Sequence, residues 1–244
     1  MFDCLAPRPF ADEMTAPPSS PDRPPNVAAA RVFLRPIANP FALGFFGLGG
    51  ATVAVSGLEL GWIPSSQRHQ VALIVLVFAA FLQAIACVFG FLSRDPVAAT
   101  GMGLLSGTWA AIGLVLLTSP PGSTSRALAL FLFLVTAGYA VSAATAALTK
   151  LVPALVLAGT GTRLCLTGVS QWTGGSGWRH VAGYAGVVLA ALAVYAAASL
   201  ELEDERRRTL LPTLRRGAGA DALTSDLADQ VAQVAAEAGV RKPL

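Results

Sequence analysis

Charge is what this sequence has least of. Soluble domains carry about 25% charged residues, whereas this chain carries 13%. The shortage is concentrated. Of 17 basic and 14 acidic side chains, only eight lie between Pro36 and Leu200: Glu59, Arg68, Arg94, Asp95, Arg126, Lys150, Arg163 and Arg179. So few cannot build a water-facing surface, which excludes a soluble domain there and makes lipid the solvent. Cysteine is scarce too. Cys4, Cys87 and Cys165 share no metal or redox spacing and two of them sit in apolar segments, so they read as small buried hydrophobes. Also missing are a phosphate loop, a His and Cys metal spacing, and a nucleophile beside a base. The chain reads as a non-enzyme without metal or cofactor. Its net charge of +3 does not point to nucleic acid, because the basic residues flank apolar segments, where they orient a membrane protein.

What is present is apolar length. Hydrophobic residues make up 54% of the 244, and six stretches reach the roughly 20 residues that cross a hydrocarbon core of about 30 Å. They are 41–63, 70–92, 96–118, 127–149, 151–171 and 181–200. The runs are continuous and do not alternate with period two, which predicts helices and excludes a barrel. The fold class is all-α: a six-transmembrane-helix bundle.

Three parts follow. Residues 1–37 are rich in Pro, Ala, Asp and Arg, and read as a disordered cytoplasmic tail. With no apolar stretch behind a basic start, they do not read as a signal peptide. Residues 38–202 form the transmembrane domain, and 203–244 a second cytoplasmic tail. Within that tail Leu223, Leu227, Val231, Val234 and Ala235 fall at helical spacing, which predicts a short amphipathic helix.

With the N-terminus inside, 13 Lys and Arg residues are cytoplasmic and three, Arg68, Arg126 and Arg179, lie opposite. Both termini are therefore expected to be cytoplasmic, in a multi-pass protein of the inner (cytoplasmic) membrane. Trp62, Trp172 and Trp178 fall at the outer ends, where interfacial tryptophans belong.

Two segments carry a family resemblance. Asn39-Pro40-Phe41-Ala42-Leu43-Gly44-Phe45, opening the first helix, resembles the Asn-Pro-Ala-Pro-Leu-Gly-Leu signature of the acetate uptake transporter family, the bacterial acetate/succinate permeases and their fungal relatives. Ala182-Gly183-Tyr184-Ala185-Gly186, followed by Arg208-Thr209-Leu210-Leu211-Pro212, is similar to that family's sixth helix and its trailing Arg-Thr-x-Leu-Pro. Gln83 and Trp109 fall where the family often has a glutamine and a tryptophan. The resemblance covers about residues 37–213. It implies six helices, a homo-oligomer (a hexamer), and a pathway for acetate or succinate through each protomer. There are departures: Ala42 stands for the second signature proline, Leu48 and Leu105 for the Phe and Tyr of the constriction, and Leu200 for a terminal glutamate. By this resemblance Asn39, Pro40, Leu43, Gly44, Leu48, Gln83, Leu105 and Tyr184 line the substrate pathway.

Arg163 stands out on physical grounds alone. Near the middle of the fifth helix, a charge costs about 2.5–3.5 kcal/mol even on the lenient insertion scale. About twelve residues separate it from the inner end, too far for the side chain to reach water. Thr160, Arg163, Thr167 and Ser170 are spaced 3, 4, 3 and share a helical face. A guanidinium among hydroxyls suits a carboxylate, and no acidic partner is expected at its depth. The alternative is a structural arginine tied to main-chain oxygens or a subunit neighbour. Glu59, Arg68, Arg126, Arg179 and His180 read as solvated charges of the outer mouth, Gln83 as an interhelical hydrogen bond, and the stripe Thr136, Tyr139, Ser142 and Thr145 as glue between helices. The functional expectation is transport of small carboxylates. The alternatives are transport of ammonium or another small solute, or a non-transporting membrane scaffold or sensor.

Overall fold

The computed structural model describes residues 38–93, 95–206 and 211–215. The N-terminal tail, Arg94, Arg208-Thr209-Leu210 and the amphipathic stretch after residue 220 lie outside the described residues. Six helices are long and apolar enough to cross a membrane, and they make an all-α, multi-pass bundle. The ends that the Lys and Arg count puts outside are called outer below.

Helix α1 spans Phe41–Glu59. Asn39 starts it, its side-chain oxygen accepting the Phe41 N–H at 3.0 Å. It stops four residues short of the sequence expectation. Gly61 adopts φ +74, open to glycine at no steric cost, and the chain folds back so that the Ile63 N–H reaches the Gly57 carbonyl at 2.9 Å. Helix α2, Ser65–Leu92, begins as a 3-10 turn over Ser65–Gln67 and widens to π geometry over Val75–Ala80. The Ser106 hydroxyl of the next helix donates to the Ala80 carbonyl at 2.8 Å, a polar contact of the kind that steadies irregular backbone inside a membrane.

Helix α3 is Pro96–Thr118, with Pro96 in the first turn and the Asp95 carboxylate accepting the Ala98 N–H. Helix α4 is Arg126–Ala146, capped by the Ser125 hydroxyl. Helix α5 is Leu151–Thr173, closed by Gly174 in the left-handed region. Helix α6, Ser176–Arg206, runs past residue 202, where the transmembrane domain was expected to stop.

The helices pack chiefly as α1 on α6, α4 on α5 and α2 on α3. Lipid tails are as apolar as the side chains, so association rests on close approach and on interhelical hydrogen bonds. At Gly90 a Cβ would stand 2.9 Å from both Ala99 and Phe41, so only glycine lets those helices meet. The Tyr139 hydroxyl donates to the Gly101 carbonyl at 2.7 Å and joins helices, as glue would. The Thr136 hydroxyl bonds chiefly back to Leu132 at 2.8 Å, with the Gly161 carbonyl of α5 3.3 Å away, and Thr145 turns back to Val141. Large apolar residues such as Val77, Leu134 and Val188 point outward, as a lipid-facing surface requires.

At the inner end, residues 211–215 form a strap across α5 and α6. Leu214 and Thr213 offer their carbonyls to the N–H groups of Leu151 and Val152 at 3.2 and 3.4 Å. The two free N–H groups of the α5 first turn are thereby satisfied, since Pro153 has none to offer. The Tyr195 hydroxyl donates to the Pro212 carbonyl at 3.1 Å, and Arg215 pairs with the buried Glu203. Leu214 takes φ +51, a region a leucine occupies only when its surroundings hold it there. Lys150 and Asp95 add a half-buried ion pair at 3.1 Å. Arg215→Ala strands the Glu203 carboxylate and is expected to destabilise the bundle by about 3 kcal/mol. Thermal unfolding in detergent measures this, and replacing both partners by leucine should recover most of the loss.

Candidate functional site

Arg163 is 3% exposed. It does have an acidic partner, contrary to the expectation from sequence. Its Nη2 donates to the Glu59 carboxylate at 2.7 Å, and its Nη1 donates to the Thr167 hydroxyl. That hydroxyl in turn donates to the Arg163 carbonyl at 2.9 Å. Helix geometry explains the pairing. At 1.5 Å per residue, Arg163 stands about 18 Å along α5 and Glu59 about 27 Å along α1. The remaining gap is spanned by two long side chains reaching toward each other. Because α1 ends at Glu59, that carboxylate stays against the bundle, its side chain 12% exposed, where a solvated loop position was expected.

Two more buried polar side chains, Ser56 and Thr52, gather around the guanidinium, whose own Nε is also left over. Arg163 Nε, Ser56 Oγ and Thr52 Oγ1 have no hydrogen-bond partner among the described residues. All belong to side chains that converge on Gly186 of α6. A Cβ there would overlap Ser56 Oγ, stand 2.7 Å from Arg163 Nε and 3.2 Å from the Thr52 methyl. Thr160 does not join them, since its hydroxyl turns back to the Val156 carbonyl at 2.8 Å.

Above this cluster lies a cavity of about 160 Å³ opening toward the outer end. Each liquid water occupies about 30 Å³, so a small organic acid fits. Its polar lining includes Glu59, Thr167, Ser170, Gln171, Arg68 and Arg179. Glu59 and Thr167, the two groups that hold Arg163, therefore face the cavity. Arg68 corrects a second expectation: it is 7% exposed rather than solvated, tucked under the turn after α3 with its guanidinium on the Ser119 carbonyl. Arg126 lies over the Trp172 ring at 5.5 Å, in cation–π range. His180 is exposed and bonds only back to the Ser176 carbonyl.

Toward the inner end, Leu48 and Leu105 are completely enclosed in the core with Trp109. Gln83 is buried and donates to the Gly44 carbonyl at 3.3 Å, an interhelical bond between α2 and α1. Pro40 and Asn39 sit half-buried at the start of α1. Leu43 and Tyr184 are not inside the protomer: they are 38% and 63% exposed. Tyr184 stands about 200° around the helix from Gly186, which faces the cluster, so its ring points outward.

The fold, though not the sequence, has a counterpart among solved structures. One solved structure similar to this one is described as "Structure of the bacterial acetate channel SatP", with a TM-score of 0.65 and 19% sequence identity, the match covering 72% of this chain and 98% of that one. The two share a fold. No protein-family model matches the sequence, and the comparison with curated proteins gives no match.

Glu59, Ser56 and Thr52 were the residues that sequence reasoning missed. One signal was available for Glu59: it and Asp95 are the only acids between Pro36 and Leu200, and Asp95 lies at the inner end. A lone charge in a helix and a lone acid at the outer side invite pairing. Ser56 and Thr52 share a face one helical turn apart, but nothing in the sequence says that this face meets α5. Gly186→Ala should destabilise the bundle by about 1–3 kcal/mol through overpacking, while Gly107→Ala, whose new methyl would meet nothing within 4 Å, should be neutral. Unfolding midpoints of the two variants in the same detergent make the comparison.

Proposed function

We propose that this chain carries small carboxylates, acetate first and succinate as a larger substrate, across a cytoplasmic membrane. Each protomer of a homo-oligomer, a hexamer by family resemblance, holds its own pathway. The observation that carries this reading is the Arg163 guanidinium, buried behind Glu59 and Thr167, which line a cavity of a size to hold such an acid. A guanidinium offers planar paired donors that fit a carboxylate, and low surrounding polarity strengthens the attraction. Thr167 and Ser170 supply hydroxyls along the same face.

The likeness of fold to a bacterial acetate channel and the two sequence segments that resemble acetate transporters support the same substrate class. Arg68 and Arg179 at the outer cavity favour entry of anions over ammonium. On this reading Leu48 and Leu105, both enclosed in the core, are the barrier, and conduction requires these two leucines to part. They stand where related transporters carry aromatic rings, which makes the barrier aliphatic. Leu43 and Tyr184, on the exterior, take no part in a pathway inside one protomer. A scaffold or sensor acting through its C-terminal tail would lose its function on deletion of residues 219–244, whereas a carrier retains flux.

Purified protein reconstituted in liposomes is expected to take up labelled acetate. Arg163→Gln, inserted in equal amount, should reduce that uptake about tenfold or more, the worth of a charge-assisted hydrogen bond. Undiminished flux in the variant would retire the mechanism.

A further inference from the structure

We infer that Glu59 is a built-in competitor for the carboxylate site. A substrate carboxylate reaches Arg163 by displacing the Glu59 carboxylate, which passes to Arg179. The inference rests on the transport reading above and names how its site is gated.

Four observations lead to it. First, the ion that holds the Arg163 Nη2 position, at 2.7 Å, is itself a carboxylate. Its head group is chemically the same as that of a small organic acid, so the two contend for one position. Second, Glu59 lines the outer cavity while Arg163 does not, so an anion entering from that cavity meets Glu59 before it meets the guanidinium. Third, a second partner is at hand. Arg179 lines the same cavity as Glu59, and Arg68, the other cavity arginine, is already engaged with the Ser119 carbonyl. Moving Glu59 from one guanidinium to the other leaves no charge unpaired, which a low-dielectric site demands. Fourth, Arg163 Nε and the Ser56 hydroxyl are buried without partners among the described residues. An arginine with an unused donor can turn to take a bidentate carboxylate once Glu59 has left.

A pair that served only to stabilise the bundle would behave differently. Its loss would lower stability and leave the apparent affinity for substrate as it was. A competitor lowers apparent affinity by occupying the site, so removing it must tighten binding.

Concentration dependence of acetate uptake into proteoliposomes tests this. In Glu59→Gln, which cannot hold the guanidinium as an anion does, the half-saturating acetate concentration should fall about tenfold and the maximal rate should also fall, because nothing then helps the substrate leave. Glu59→Asp, with a shorter reach and a weaker pair, should shift the same constant in the same direction by about threefold. Arg179→Gln, which removes the alternative partner, should lower the maximal rate about threefold or more. An unchanged half-saturating concentration in Glu59→Gln beside active parent protein overturns the competitor and leaves the transport reading standing. So does loss of assembly in both Glu59 variants, since the pair is then structural. Absence of acetate uptake by the parent protein overturns the transport reading itself.

Discussion

A charge taken into hydrocarbon must bring its own counter-charge or its own water. Arg163 obeys that constraint, and much of the architecture around it can be traced to the way it does so. Its partner sits on another helix, so α1 has to end where Glu59 can turn back toward α5. The fold at Gly61 and Ile63 accomplishes this. The guanidinium also needs volume in a crowded crossing, which α6 provides by having no side chain at Gly186. Paired and hydrogen-bonded, the arginine is tolerated. Desolvation of two ions is costly, though, and their mutual attraction does little more than offset it. Such a pair is weak evidence of a need for stability and better evidence of a need for a charge at that place.

The rest of the bundle is held by contacts that lipid cannot imitate. Hydroxyl and amide groups of Ser106, Tyr139, Thr136 and Gln83 reach carbonyls on neighbouring helices. Glycines let backbones come close enough for those reaches to succeed. The same economy appears at the inner end, where five residues beyond α6 satisfy the first turn of α5 and pair Arg215 with Glu203. The inner half is therefore tied by many short bonds, while the outer half encloses a cavity with charged walls. Leu48 and Leu105 lie buried between the two halves. Aliphatic side chains there have no hydrogen bonds to break.

Comparison of residues with geometry shows where reading a sequence succeeds. The six spans emerge from the length of apolar runs because the bilayer imposes one dimension on all of them. The structure adds caps at Asn39, Asp95 and Ser125, whose side chains satisfy an N–H two or three residues away. Gln83 and Tyr139 were legible as interhelical bonds because a polar group in lipid has few other choices. Arg163 was legible as the odd charge. Its environment was not. Glu59 lies 104 positions away, and a helical period says which residues share a face but not which face meets which helix. Tyr184 shows the same limit: a motif suggests it for the pathway, while the rotation of α6 gives it an exposed position on the protomer.

Composition and periodicity by themselves determined that the chain crosses a membrane six times, which charges are out of place, and which end of each helix meets the interface. These are decided by interactions between a residue and its solvent or its near neighbours in sequence, and the chain carries them wherever it goes. Only the tertiary structure decided that Arg163 meets Glu59, that Ser56 and Thr52 crowd beside it at Gly186, and that Arg68 is buried. Those outcomes depend on the rotation and axial shift of packed helices, which arise from the fit of all six together and are written in no single segment.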